Sequence, residues 1–144
     1  MTRLGLSSSS FVLLFFGMLG CGNGRQLQGV KLSPATADAQ NFPNGQVSFT
    51  ATGTYNQPPS PVQLTSKDIL WCSGGIGSSG STTGQCVGNA NPGATVDQNG
   101  LAQCSPMFVG TVTILAGTEI PMSNPMPDSG AQLKIYGSAQ LTCP

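Results

Sequence analysis

Apolar and polar residues alternate with a period of two in several separate stretches of this chain, as in strands with one buried face. Val30 and Leu32 flank Lys31, and Val47, Phe49 and Ala51 alternate with Ser48, Thr50 and Thr52 before the breaker run NQPP at 56–59. Val62 and Leu64 open an extended piece that resumes at Ile69 and Trp71, both expected to face inward. Val112, Ile114 and Ala116 alternate with Thr111 and Thr113. In the last stretch Leu133, Ile135, Ala139, Leu141 and Cys143 keep one phase, with Gly137 expected as a bend or bulge. No stretch beyond residue 27 shows a convincing apolar stripe of 3.6-residue period.

The turns carry their own signals. ATVDQNGLAQC, at 94–104, sets two short strands around Asp97-Gln98-Asn99-Gly100, and the pair Asn99 and Gly100 marks a hairpin because both residue types tolerate positive φ. Residues 73–91, rich in Gly and Ser, read as one long loop that carries Cys86. About seven strands, turns about every ten residues and one Trp in a middle strand predict an all-β chain, a single antiparallel β-sandwich. Its expected core is Val47, Phe49, Ile69, Trp71, Val112, Ile114, Leu133, Ile135 and Leu141.

The first residues belong to a different pattern. Arg3 supplies a positive flank, residues 11–20 are an apolar run, and small Gly20 precedes Cys21, which are the three zones of a secretory signal. A membrane-spanning helix needs about 20 apolar residues, roughly twice what is present here. MLGC, at 18–21, resembles the lipobox of bacterial lipoproteins, although it carries Met18 and Leu19 where Leu and a small residue are usual. The resemblance implies cleavage before Cys21 and acylation of that cysteine, with several acyl chains giving stable anchoring. Residues 1–20 are thus expected as signal peptide, 21–27 as a lipid-anchored tether and 28–144 as the folded domain. Seven extended tether residues reach at most about 25 Å, which holds the domain close to the bilayer. Gly22, rather than Asp, after Cys21 resembles lipoproteins sorted to the outer membrane. Without acylation the protein would be periplasmic or secreted.

Composition narrows the partners. Only 7% of the residues are charged, and once Arg3 is removed four Lys and Arg stand against five Asp and Glu. No basic stripe is present to engage a phosphate backbone, so nucleic acid is not an expected partner. The chain has 144 residues, enough for one hydrophobic core.

Of five cysteines, setting Cys21 aside leaves an even four, which suits an oxidising compartment. Cys72, Cys86, Cys104 and Cys143 allow three pairings. The favoured one joins Cys72 to Cys86 as a local clip on the Gly/Ser loop, and Cys104 to Cys143 between the hairpin and the final strand. With no CxxC pair and no His in the chain, a cysteine metal site is disfavoured and no cofactor is expected.

The order of GVKLSP, GQVSFTATGTY, ILWCS, ATVDQNGLAQC, GTVTILA and GSAQLTC resembles the bacterial Ig-like domain, group 2, over residues 28–144. The Gly/Ser insert with Cys86, the long loop 117–130 and the four cysteines depart from that family. The resemblance implies an Ig-like sandwich with a structural or adhesive role, in contact with an envelope protein or polysaccharide.

Other motifs have plainer readings. GIGSSG, at 75–80, fits the spacing of a dinucleotide-binding turn with Asp97 about 20 residues on, but the residues after it do not make the helix that would hold a pyrophosphate. Asp97-Gln98-Asn99-Gly100 looks like the start of a calcium loop but lacks the later Glu. Met122 and Met126, with Met107, offer thioethers to Cu(I), which makes a ligand or copper carrier using loop 117–130 the alternative function. Pro121, Pro125 and Pro127 stiffen that loop, and methionines there also serve as apolar caps. Asp68, Asp97, Glu119 and Asp128 lie beside expected turns, and no G-x-S-x-G is present, so the chain is expected not to be an enzyme.

Overall fold

The computed structural model describes residues 24–76, 84–86, 93–121 and 130–144. Residues 1–23, which include the expected signal peptide and Cys21, therefore lie outside the described residues. The described chain is all-β, with eleven strands and two single 3-10 turns, Ala39–Asn41 and Pro43–Gly45. The strands are β1 (Leu27–Ser33), β2 (Thr36–Asp38), β3 (Gln46–Ser48), β4 (Thr50–Tyr55), β5 (Val62–Gln63), β6 (Leu70–Ile76), β7 (Gly84–Cys86), β8 (Ala94–Val96), β9 (Leu101–Cys104), β10 (Gly110–Glu119) and β11 (Gln132–Cys143). They outnumber the seven or so expected because two extended runs change partner midway, because the piece from Val62 to Trp71 divides into β5 and β6, and because short β7 carries no pattern of its own.

Those changes of partner organise the molecule. The run from 27 to 38 pairs antiparallel with β4 as β1, then parallel with β11 as β2. This parallel pair departs from the purely antiparallel expectation. The run from 46 to 55 breaks at Phe49, so that β3 pairs with β9 and β4 with β1. Three sheets result, ordered β1-β4-β5, β3-β9-β8 and β10-β6-β7-β11-β2, with β10 also paired to β11. Strands β10, β6, β7 and β11 thereby close into a ring.

The main core is shared by all three sheets. Leu32 and Ala51 enter it from the first, Val47, Ala94 and Ala102 from another, and Trp71, Ile114, Ala139 and Leu141 from the ring sheet, with Phe49, Ile69 and Val112 alongside. A second cluster of Cys86, Leu115 and Leu133, flanked by Leu70, Cys72 and Tyr136, lies apart from it. Leu133 is buried as expected, and it lies in this second cluster, on the face opposite Leu141. The cause is a register shift on β11, where Thr118 faces Ile135 but the next residue, Glu119, faces Leu133. One extra residue on one strand moves every side chain beyond it to the other face. Ile135, expected in the core, stays half-buried beside this shift. The irregularity therefore falls at Lys134 and not at Gly137, which sits in unbroken pairing with Ala116.

Residues 73–91 are not simply one loop either, since β7 lies within them and pairs with β6 and β11. The disulfides join Cys72 to Cys86 and Cys104 to Cys143, the favoured pairing. The first staples β6 to β7 at the second cluster. The second ties the hairpin strand β9 to the final strand at the main core, where Cys143 is buried. Of the edge strands β1, β2, β3, β5 and β8, all but the seven-residue β1 have only two or three residues, which shortens the free edges.

Candidate functional site

The hairpin at Asp97-Gln98-Asn99-Gly100 and the neighbouring turn at 65–68 border a concavity. The Asp97 carboxylate accepts the backbone N–H groups of Asn99 at 2.9 Å and Leu101 at 2.8 Å, and the Gly100 N–H donates to the Asp97 carbonyl at 3.0 Å. Asn99 and Gly100 both tolerate positive φ, and in this turn only Gly100 adopts it, at +81°. The loop is a three-residue hairpin closed by a glycine bulge rather than a two-residue one. A Cβ on Gly100 would stand 2.4 Å from the Phe49 carbonyl oxygen and 2.9 Å from the Trp71 ring. The Gly100 carbonyl accepts the Phe49 N–H at 2.8 Å, so the hairpin is clasped to the β3–β4 break and rests on the indole.

The turn at 65–68 is built in the same manner. Asp68 accepts the Thr65 N–H and the Thr65 hydroxyl, both at 2.8 Å, an arrangement that Thr-x-x-Asp favours. These hydrogen bonds hold the Asp68 carboxyl below its ordinary value of 3.8, and the cations of Arg25 and Lys67 lower it further. Hydrogen bonds from Leu101 and then Asn99 likewise hold the Asp97 carboxyl below 3.8.

Between the two turns lies a cleft of about 330 Å³, edged by Ser48, Thr50, Gln63, Thr65, Gln98 and Asn99 and floored by Phe49 and Trp71. A second hollow of about 280 Å³ adjoins it through Ser66 and Gln98 and reaches Lys67, Asp68 and Glu119. The rim of the first is neutral hydroxyl and amide, a surface suited to polar contact. Trp71 is buried, so it offers no stacking platform. General acid or base work needs a carboxyl with a pKa near the working pH, and Asp68 and Asp97 are shifted away from it while their oxygens serve their own turns.

Among the described residues the remaining candidates do not converge on this cleft. Gly75 lies in β6, and the rest of GIGSSG apart from Ile76 falls outside the described residues, as do Met122, Met126, Asp128 and Cys21. Met107 is 97% exposed, at the tip of the turn before β10. Among the described residues no group of three or more His, Cys, Asp or Glu is placed to hold a metal ion. No described helix is long and apolar enough to cross a membrane.

Arg25 and Gln26, ahead of β1, make contacts that the local sequence does not signal. The Arg25 guanidinium lies 3.7 Å from the centre of the Tyr55 ring and donates to the Pro59 carbonyl at 2.6 Å. Gln26 exchanges two hydrogen bonds with Asn56, at 2.7 and 3.1 Å. The only local hint was a cation next to a strand start, and its partner is 30 residues away.

No protein-family model matches this chain, and no curated protein matches it.

Proposed function

We propose that the chain is a non-catalytic, lipid-anchored Ig-like module of the bacterial cell envelope, exported by residues 1–20 and attached through Cys21. It acts by contact with an envelope protein or polysaccharide, and the outer membrane is its site. One observation carries the reading: the two disulfides consume four of the five cysteines within the folded part, which leaves Cys21, directly after the apolar run, as the remaining thiol. Two disulfides in one small domain also favour an exported location.

The strand arrangement supports the Ig-like assignment. The first extended run passes from β4 in one sheet to β11 in another, the sheets face a common core, and the single Trp lies within that core. The neutral rim of the cleft suits contact rather than chemistry.

The test is metabolic labelling with an alkyne-tagged palmitate in a bacterial host, followed by fractionation. The full-length protein is expected to take up label and sediment with membranes, and Cys21→Ser to lose both properties. Unlabelled protein in the soluble fraction would refute the anchor.

A further inference from the structure

The tether is expected to be seven residues long, yet its second half is part of the fold. Arg25 lies on Tyr55 and bonds the Pro59 carbonyl, Gln26 is paired twice with Asn56, and Leu27 is already in register with Tyr55 in the β1–β4 ladder. The 55–60 segment is itself tied back, since the Tyr55 N–H donates to the Ser60 hydroxyl at 2.9 Å. The negative face of the aromatic ring attracts the guanidinium, and the hydrogen bonds add to that attraction. Between Cys21 and Arg25 only Gly22, Asn23 and Gly24 intervene, and four Cα steps span at most about 14 Å instead of about 25 Å.

The strand directions say which part of the domain this shortened tether brings to the lipid. β1 starts at Leu27 and runs alongside β11, and its continuation β2 is parallel to the last part of β11, at 140–142. Leu27 and the start of β11 therefore share one end with loop 56–61, which follows Tyr55, and Lys67 and Asp68 of the 65–68 turn reach that end by bordering a hollow with Glu119, the partner of Leu133. The pairing of Gly110 with Cys143 marks the other end, where Met107 and Val109 are exposed.

We propose that the end formed by Arg25, the 55–61 segment and the 65–68 turn is a lipid-facing surface, held against the headgroups by a clamped tether, with the 105–109 turn pointing away. This rests on the acylation of Cys21 proposed above. Among the described residues this end carries Arg25, Lys67 and Lys134 against Asp68 and Glu119, a net of one positive charge, so the contact is imposed chiefly by the tether rather than by attraction to anionic lipid.

Trp71, the single Trp and part of the cleft beside this end, is a native reporter. The full-length protein would be expressed in bacteria, its membrane-extracted form reconstituted into phosphatidylethanolamine/phosphatidylglycerol vesicles that contain a dansyl lipid, and energy transfer from Trp71 measured. The native protein is expected to transfer strongly, and Arg25→Ala combined with Asn56→Ala to lose about half of that transfer or more as the reach rises towards 25 Å. A six-residue Gly/Ser insertion after Asn23, which leaves every contact of the fold in place, is expected to lower transfer similarly. Equal transfer in all three proteins, each floating with the vesicles, would overturn the clamp and leave the anchor standing. Failure of the native protein to float would refute the anchor and the lipid-facing role with it. Hydrogen exchange then reports on the clamp alone: the Gln26 and Asn56 amides are expected to exchange faster in Arg25→Ala, and unchanged exchange would overturn it.

Discussion

Replacing Gly100 with Ala combines two penalties that replacing Gly45 separates. Both glycines follow an asparagine and both have positive φ, +81° at Gly100 and +65° at Gly45. An L side chain in that region costs about 1–2 kcal/mol by backbone sterics alone. At Gly45 nothing lies within 4 Å of the new Cβ, so Gly45→Ala should lose only that amount. At Gly100 the Cβ would meet the Phe49 carbonyl oxygen at 2.4 Å, a backbone atom that cannot swing aside, and the Trp71 ring at 2.9 Å. Relieving that overlap requires the hairpin to lift, which adds about 1–3 kcal/mol of overpacking and weakens the Phe49 to Gly100 hydrogen bond. Gly100→Ala is therefore expected to destabilise by about 3–5 kcal/mol in total. Urea unfolding followed by Trp71 fluorescence measures both variants, and the Gly100 variant should also shift the native emission because its Cβ presses on the indole. Equal losses within about 0.5 kcal/mol would refute the clasp between hairpin and core and leave backbone strain as the whole effect.

The disulfides should differ in worth. In the chain-entropy model, Cys104–Cys143, with 39 residues of separation, contributes about 4 kcal/mol and Cys72–Cys86, with 14, about 3 kcal/mol; paired Cys→Ala variants in urea test this, and a larger loss at Cys72–Cys86 would contradict it. Leu115→Ala should cost about 2–5 kcal/mol while leaving Trp71 emission unchanged, because Leu115 belongs to the second cluster; a spectral shift as large as that of Ile114→Ala would argue for one merged core. Asp68 and Asp97 titrate below 3.8 in the folded chain, so their contribution is complete above about pH 5 and is lost as pH falls through the lowered values. Asp68→Asn with Asp97→Asn should flatten the urea midpoint between about pH 5 and 2, and an unchanged slope would show that other carboxylates set it.

Strands with one dry and one wet face were legible in the sequence because alternation records that environment. Val47, Phe49 and Ala51 are buried between exposed or half-buried neighbours, as their spacing requires. The ring of β10, β6, β7 and β11 was not, for the same physical reason. Residues 114–117 of β10 are buried on both faces, which erases alternation, and Gly84-Gln85-Cys86 owes its position to pairing and a disulfide rather than to apolar character. The shift at Lys134 is set by cross-strand register, which the order of residues along one strand does not encode, and so the division of the core into two clusters, with Leu133 and Leu141 on opposite faces, was not legible. β2 pairs with residues more than 100 positions away, and Arg25 finds Tyr55 only after β1 and β4 have met. In the cleft, the Asn-Gly turn was visible, whereas its closure by Asp97 and its seat on Trp71 depend on the β3–β4 break.

The intact mass of the protein extracted from a bacterial membrane fraction, taken before and after reduction, tests the central claim most directly. The account predicts a chain that begins at Cys21, carries added acyl mass and gains four protons on reduction, two from each disulfide. A water-soluble chain cut elsewhere, without acyl mass, would contradict the anchor and make a freely diffusing secreted module of the same fold.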